Sequence, residues 1–322
     1  MSQTSLTGSD LLLRLLGVLL LAAALGFAAT KAEDRTLESL LPMWAPPPSD
    51  FIDLKGQLLH LRDQGPAGDP LPIVLIHGTS ASLHTWEGWV AELSKTRRVI
   101  SFDLPGFGLT GPAMSGDYSI EAYSAFVSQL LAHLQVQRAV LAGNSLGGEV
   151  AWTVAADRPD LAAGLILVDA SGYNFKPDAV PLGFYLARLP GVSWLSQYLL
   201  PRQLVASSVR SVYGDPARAS PELIDRYFEL TLRAGNRAAL TQRLVQMQFG
   251  NQVDRLKQLR LPTLILWGEL DRLIPPVNGE AFARDIAGSQ LVTLPGLGHV
   301  PHEEDPAASL VPVQAFLTTL KP

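Results

Sequence analysis

A five-residue run, Gly-Asn-Ser-Leu-Gly at 143–147, places the tightest limit on how this chain can fold. The largely apolar residues 138–142 before it are typical of a strand, and residues 148–156 after it are typical of a helix. A Gly-x-Ser-x-Gly run between strand and helix predicts a sharp turn that forces Ser145 into an unfavourable backbone conformation. Glycines are required there because strand and helix approach too closely for side chains. Such a turn would lift the Ser145 hydroxyl clear of the backbone, beside the positive end of the helix.

The rest of the chain alternates between strand-like and helix-like stretches. Continuous apolar runs, typical of strands buried on both faces, are followed by segments with helical spacing. Further strand-like runs cover residues 72–76, 98–102, 165–168, 262–267 and 290–294, and a hairpin is predicted at residues 51–61. Alternation of this kind predicts a mostly parallel sheet with helices on both faces.

A helical insertion interrupts this alternation at about residues 173–250. The segment has few strand-like runs and many helix-like ones, so we predict a cap over the sheet. It carries nine basic residues against five acidic ones. Because arginine is mostly exposed in proteins, a solvated helix surface is one explanation for this excess. The other is that one or two arginines line the substrate entrance and favour an acidic substrate.

The first 50 residues lie outside the alternation. Residues 11–29 are apolar except for Arg14, and at about 1.5 Å per residue a helix of this length approaches the roughly 30 Å of a bilayer core. We therefore predict an N-terminal membrane anchor over residues 1–30, with the domain at 51–322 periplasmic or otherwise external. The alternative is a cleaved secretory signal, after which the protein would be secreted. Four prolines predict a semi-stiff spacer at residues 31–50.

Composition excludes several classes of function. The chain has no cysteine, which rules out disulfides, thiolate metal sites and a cysteine nucleophile. Its 25 basic and 30 acidic residues give a net charge of -5 without a basic stripe, which argues against a nucleic-acid partner. The sequence contains no phosphate loop, nucleotide fingerprint or metal-ligand cluster, so we expect no cofactor. It leaves the oligomeric state open.

Three residues that follow predicted strands form a candidate catalytic group. A serine hydroxyl needs a base to take its proton, and the base needs a partner that holds the right tautomer. Ser145, Asp271 and His299 each lie just beyond the carboxyl end of a predicted strand, in that order along the chain. Because the carboxyl ends of parallel strands share one edge of a sheet, these distant residues can meet there.

Five motifs in order make residues 51–322 resemble the α/β-hydrolase fold family. They are His77-Gly78, the run at 103–108, the serine turn at 143–147, Trp-Gly-x-x-Asp at 267–271 and Gly-His-x-Pro-x-x-Glu-x-Pro at 298–306. The resemblance implies an eight-stranded, mostly parallel sheet flanked by helices, with an inserted helical cap. It also implies that Ser145 is the nucleophile, His299 the base and Asp271 the orienting acid. The backbone N–H groups of Thr79 and Leu146 would then form the oxyanion hole.

Two other residues compete for these roles. Asp169 also follows a strand and could supply the orienting acid in some arrangements of the catalytic group, although we favour Asp271. His302 lies close to His299, but its acidic neighbours at 303–305 favour a solvated position at the start of a helix.

The residue in the turn limits the reaction. Members of the family with aspartate there are dehalogenases and epoxide hydrolases, whereas a serine implies acyl transfer. With the apolar, aromatic cap, this predicts hydrolysis of carboxylic esters of modest size. Alternatives are a carbon–carbon bond hydrolase of ring-cleavage products, a cofactor-free perhydrolase, and a ligand receptor without catalysis. The Gly143-Asn144-Ser145 run resembles the carbon–carbon branch as well, but the Thr-Ser-Ala-Ser at 79–82 does not.

Overall fold

An eight-stranded sheet lies at the centre of the protein, in a computed structural model that describes residues 8–188 and 198–321. The strand order is β1-β2-β4-β3-β5-β6-β7-β8. The strands are β1 (Asp50–Leu54), β2 (Gln57–Gln64), β3 (Ile73–Ile76), β4 (Val99–Phe102), β5 (Ala139–Asn144), β6 (Ala162–Val168), β7 (Thr263–Gly268) and β8 (Gln290–Leu294). The pairs β1–β2 and β2–β4 are antiparallel and the other five are parallel. The predicted hairpin and mostly parallel sheet are confirmed.

The helices of the described residues are α1 (Gly8–Thr30), α2 (Leu37–Trp44), α3 (Glu87–Leu93), α4 (Ile120–His133), α5 (Leu146–Asp157), α6 (Leu182–Arg188), α7 (Arg202–Val212), α8 (Pro221–Thr231), α9 (Asn236–Gln246), α10 (Val277–Asp285), α11 (Pro301–Glu304) and α12 (Pro306–Leu317). Of these, α4, α5 and α10 pack on one face of the sheet, and α3 and α12 pack on the other. Every residue of the five central strands, β3 to β7, is buried. This explains their continuous apolar sequences, because a strand covered on both faces has no polar side.

The chain between β6 and β7 supplies the helices α6 to α9. In the described part of this stretch, only single bridging residues, Leu199 and Arg233, pair as strands do. Both bridge to the N-terminal arm, residues 30–45, rather than to the central sheet. The insertion is therefore helical, as the sequence pattern predicts, and it follows directly from the carboxyl edge of the sheet. We call α6 to α9 the cap.

The N-terminal arm contacts the cap. The Leu200 N–H donates to the Thr30 carbonyl at 3.2 Å, and the Arg35 N–H donates to the Leu232 carbonyl at 2.7 Å. Helix α2 buries Leu40 against Leu109 and Leu230. The segment predicted as a spacer thus contains a helix, which Thr36 begins by accepting the Ser39 N–H at 3.3 Å. The prolines lie late in α2 and beyond it, where they do not oppose its first turn.

The predicted membrane anchor has no structural support. Helix α1 exposes the apolar side chains between Leu12 and Leu21. Across residues 8–188 and 198–321, however, no helix combines the length and the apolarity needed to cross a membrane.

Candidate active site

Ser145 occupies the sharp turn between β5 and α5. Its backbone angles are φ 54° and ψ −119°, a strained conformation for any residue except glycine. The turn is held by the Ser145 N–H, which donates to the Val168 carbonyl at 3.1 Å, and by the Ser145 carbonyl, which accepts the Ser171 N–H at 3.0 Å. A Cβ on Gly147 would lie 2.1 Å from the Ile76 carbonyl oxygen. Gly147 is thus required by the close approach of α5 to β3, and Gly143 by the close approach of α5 to its own strand, where a Cβ would lie 2.1 Å from the Gly147 carbonyl oxygen.

His299 and Asp271 form a hydrogen-bonded pair at the same edge of the sheet. The Nδ1 atom of His299 lies 2.7 Å from Oδ2 of Asp271, and both residues are almost fully buried. The other oxygen of Asp271 accepts the N–H groups of Leu273 and Ile274 at 2.8 and 3.0 Å. In the tautomer that this geometry favours, Nδ1 of His299 carries the proton and donates a hydrogen bond to Asp271. This leaves Nε2 as the basic nitrogen of the ring.

Asn144 connects the serine turn to the loop between β8 and α11, residues 295–300, which carries His299 and is called the histidine loop. Its Nδ2 atom donates to the His299 carbonyl at 2.9 Å and to the Val168 carbonyl at 3.1 Å. The backbone of His299 is thus hydrogen-bonded to the residue that precedes Ser145. The candidate catalytic residues that were predicted from strand ends therefore lie at one edge of the sheet. They are Ser145, Asp271 and His299.

The loop after β3 passes beside Ser145. A Cβ on Gly78 would lie 3.1 Å from the Cβ of Ser145, so the next residue, Thr79, lies close to the serine. Leu146 is the first residue of α5, where a backbone N–H has no acceptor within the helix. Both N–H groups predicted for the oxyanion hole thus belong to segments that border Ser145.

Asp169, the other candidate acid, lies beside Asp271 rather than far from it. It follows β6, is fully buried and has φ 45°, an unusual value for aspartate. One oxygen accepts the Gly268 N–H at 2.9 Å. Burial, together with the negative charge of Asp271, raises the pKa of Asp169 well above its ordinary value. Within the described part of the chain, Asp169, Asp271 and His299 form the one group of acidic and histidine side chains close enough to share a metal ion.

Glu304 ties the histidine loop to the cap. Its carboxylate accepts the Gly298 N–H at 2.8 Å, and also the N–H groups of Gly214 and Asp215 at 2.9 and 2.8 Å. Gly214 and Asp215 follow α7 of the cap. Glu304 belongs to the sequence motif at 298–306, but its role is not predictable from the sequence because its three donors become neighbours only on folding.

The expectation that His302 is solvated is wrong. Its side chain is fully buried, its ring lies 4.0 Å from that of Trp86, and Nε2 lies 3.1 Å from the Thr85 hydroxyl. Burial lowers the pKa of His302 well below its usual value. The acidic sequence around it is misleading because Glu303 is also buried, where it pairs with Arg226 of α8. His302 therefore packs in the core rather than at a solvated surface.

The interpretation of the cap arginines as a solvated surface is correct only in part. The guanidinium of Arg226 is 12% exposed and pairs with Glu303, which also accepts the hydroxyls of Tyr213 and Tyr227 at 3.0 and 2.8 Å. The side chain of Arg237 is 6% exposed and pairs with Asp34 of the N-terminal arm at 2.6 Å. These two charges are therefore neutralised within the protein.

A family model for the alpha/beta hydrolase fold matches residues 72–306, and the chain belongs to this family. An uncharacterised protein of Mycobacterium tuberculosis, Rv2715, is 31% identical over 294 residues, which cover 86% of this chain and 83% of the relative. A 2-hydroxy-6-oxo-2,4-heptadienoate hydrolase of Pseudomonas putida is 30% identical over 252 residues, which cover 74% of this chain and 85% of the relative. The protein is thus a hydrolase by family and by the names of its relatives.

Two solved structures are similar over most of the chain. A thermophilic esterase from Thermogutta terrifontis superposes with a TM-score of 0.66 at 28% identity, over 84% of this chain and 98% of the esterase. A bacterial membrane phospholipase A superposes with a TM-score of 0.72 at 24% identity, over 97% of this chain and 98% of the phospholipase. At 24% identity, the similarity to the phospholipase shows only that the two proteins share a fold.

Proposed function

We propose that this protein is a serine hydrolase that cleaves carboxylic esters through an acyl-enzyme on Ser145. The observation that carries the proposal is the buried His299–Asp271 hydrogen bond of 2.7 Å at the sheet edge where Ser145 sits in a strained turn. A histidine whose Nδ1 is fixed in this way can use Nε2 to accept a serine proton. The similarity to an esterase at 28% identity supports the ester as the substrate class.

The reaction runs in two half-steps. The Ser145 oxygen attacks the ester carbonyl while His299 takes its proton, and the carbonyl oxygen becomes an oxyanion that the Thr79 and Leu146 N–H groups stabilise. His299 then gives the proton to the departing alcohol, which leaves an acyl group on Ser145. A water molecule, deprotonated by His299, attacks this acyl group. The bond between the acyl carbon and the Ser145 oxygen then breaks, His299 returns the proton to that oxygen, and the acid is released. Asp271 stabilises the charged ring of His299 during both half-steps.

The buried arginines of the cap bear on whether the substrate is acidic. Two of the buried cap arginines, Arg226 and Arg237, already pair with carboxylates of the protein. These two are therefore not free to bind an acidic substrate, whereas Arg243 is also buried and its Nε atom has no hydrogen-bond partner among the described residues.

The test is hydrolysis of p-nitrophenyl acetate, butyrate and octanoate by the full chain and by Ser145→Ala. We expect turnover by the wild-type protein, and a loss on the order of 10³-fold or more in the variant. Ser128→Ala is the matched control, because Ser128 lies on α4 and its hydroxyl bonds only within that helix. Equal rates in wild-type protein and Ser145→Ala would overturn the proposal.

A carbon–carbon bond hydrolase is the second candidate. The observation that favours it is the 30% identity to a 2-hydroxy-6-oxo-2,4-heptadienoate hydrolase. The same serine, histidine and aspartate could serve that reaction on a vinylogous diketo acid. Loss of the absorbance of such a substrate, without hydrolysis of any of the three esters, would replace the ester proposal by this one.

Location in the cell is a separate proposal, and it rests on the apolar sequence of residues 11–29 alone. We propose that the hydrolase domain lies outside the cytoplasm. Fractionation of cells, followed by protease treatment of intact spheroplasts, tests it. Digestion of the domain in intact spheroplasts is the expected result, and complete protection would overturn it.

A further inference from the structure

Two buried carboxyl groups lie side by side behind His299. Asp169 follows β6 and Asp271 follows β7, and these strands are parallel neighbours in the sheet. One carboxyl oxygen of each residue and one ring nitrogen of His299 all lie within 4.8 Å of one another. Asp169 is 0% exposed and Asp271 is 3% exposed, so water does not separate their charges.

The hydrogen bonds of the two carboxyl groups differ. Asp271 uses both oxygens, one for the N–H groups of Leu273 and Ile274 and the other for His299. Asp169 uses one oxygen, which accepts the Gly268 N–H. Its other oxygen, Oδ2, is buried and has no hydrogen-bond partner among the described residues. An ionised Asp169 would therefore leave a charged oxygen both unsolvated and close to a second carboxylate, an arrangement that costs considerable free energy.

A proton on Asp169 resolves both problems. It removes one of the two negative charges and converts an unsatisfied acceptor into a donor. An oxygen of Asp271 lies within 4.8 Å of an oxygen of Asp169, so Asp271 is the acceptor at hand. The N–H of Gly268 still bonds to the first oxygen of Asp169, so nothing else needs to change.

We propose that Asp169 is a neutral carboxylic acid in the folded protein and donates its proton to Asp271, so that His299 faces two carboxyl groups sharing one proton. In this proposal Asp169 acts through Asp271 and not on the substrate. It is a positioning residue that holds Asp271 against Nδ1 of His299 and withdraws part of its negative charge. This arrangement does not depend on which bond the enzyme cleaves.

Asparagine tests the proposal because it has the shape of a protonated aspartate. In Asp169→Asn the amide oxygen can accept the Gly268 N–H, and the amide nitrogen can donate to Asp271. If Asp169 is neutral, the variant reproduces its hydrogen bonds. If Asp169 is ionised, the variant places a neutral group where the fold requires a charge.

The first measurement is the unfolding temperature of the full-length proteins between about pH 5 and about pH 8. A carboxyl that is protonated when folded and ionised when unfolded makes the folded state bind more protons, so stability falls as the pH rises. Asp169→Asn removes this loss. We expect its unfolding temperature to rise relative to wild type as the pH increases, with a gain of at least about 2 °C at the upper end. A deficit that stays constant or widens as the pH rises would overturn the proposal.

Asp103→Asn is the matched control. Asp103 is also fully buried and also follows a strand, but its oxygens accept the N–H groups of Leu83 and Leu109 at 2.7 and 2.8 Å and contact His60 at 2.7 Å. Burial opposes ionisation of Asp103, yet the charge and hydrogen bond of His60 outweigh it and lower the pKa of Asp103. Asparagine should therefore lower the unfolding temperature at this position, most strongly near neutral pH.

The second measurement is the rate at which a fluorophosphonate labels Ser145, which requires no knowledge of the substrate. We expect Asp169→Asn to keep this rate within about threefold of wild type at neutral pH, and Asp169→Ala, which lacks the donor, to lower it about tenfold or more. Equal rates for the two variants would show that the donated proton has no role in catalysis. If the wild-type protein is not labelled, the serine proposal fails, while the unfolding measurement still decides the state of Asp169.

Discussion

The backbone N–H of His299 donates to the carbonyl of Val212 at 2.8 Å, so the candidate base is attached directly to the last residue of α7 in the cap. Gly298 also packs there, since a Cβ on it would lie 2.4 Å from the Val212 oxygen. The cap therefore helps to fix His299 as well as to cover the site. A shift of α7 would change the position of the base relative to Ser145.

Glu304→Gln should weaken this attachment. The Glu304 carboxylate accepts three backbone N–H groups, from Gly298, Gly214 and Asp215. Glutamine retains one acceptor oxygen, and its NH₂ group would face at least one N–H donor. We expect the free energy of unfolding to fall by about 2–4 kcal/mol and kcat on a p-nitrophenyl ester to fall about tenfold or more, because His299 loses its position.

The control for Glu304 is Glu280→Gln, on the exposed surface of α10. It should leave both quantities within error of wild type. Unchanged kcat in Glu304→Gln, measured where the variant is fully folded, would show that the cap does not position His299.

Gly268→Ala should displace the histidine loop from the side that faces β7. A Cβ on Gly268, at the end of β7, would lie 1.9 Å from the Gly298 carbonyl oxygen, and the loop cannot retreat because Gly298 already contacts α7. We expect a loss of about 3 kcal/mol or more in the free energy of unfolding, measured by urea denaturation. Gly68→Ala is the control, since a Cβ there meets nothing within 4 Å. Equal stabilities of the two variants would contradict the close packing.

Leu40→Ala tests whether the N-terminal arm belongs to the folded unit. Leu40 is 1% exposed and packs against Leu109 and Leu230, so truncation leaves a cavity. The free energy of unfolding should fall by about 2–5 kcal/mol. Met43→Ala on the same helix removes a side chain that is 66% exposed and should have little effect. Similar small effects of both substitutions would mean that α2 is not part of the cooperative core.

The sequence predicts the sheet and the candidate triad for the same physical reason. Strands buried on both faces have continuous apolar sequences, and polar residues such as Ser145 and Asp271 stand out where those runs end. The sequence does not predict pairings across loops. Glu304 and His302 lie in a run of acidic residues, which is typical of a solvent-exposed segment. Both side chains are nevertheless buried, because residues of the cap and of the loop after β3 pack against them. The sequence also does not predict the proposed protonation of Asp169, because protonation depends on the distance between Asp169 and Asp271.

Glu149 should make stability depend on pH in a direction that can be worked out. It lies on α5 one turn after Ser145, is 6% exposed, and its Oε2 atom has no hydrogen-bond partner among the described residues. Burial raises the pKa of Glu149 to about 7, although the charge of Arg243 opposes the rise. The folded state therefore binds more protons than the unfolded state between the ordinary pKa of 4.5 and about 7, and stability falls as the pH rises through this window.

Glu149→Gln should remove this loss. A rise in pKa from 4.5 to about 7 corresponds to on the order of 3 kcal/mol. The variant should therefore gain stability relative to wild type between about pH 4.5 and about pH 7 and keep a constant difference above it, as measured by urea unfolding at several pH values. Glu92→Gln, whose carboxylate is 51% exposed on α3, is the control and should give a curve parallel to wild type. A parallel curve for Glu149→Gln as well would mean that Glu149 is ionised throughout, with Arg243 supplying the compensating charge.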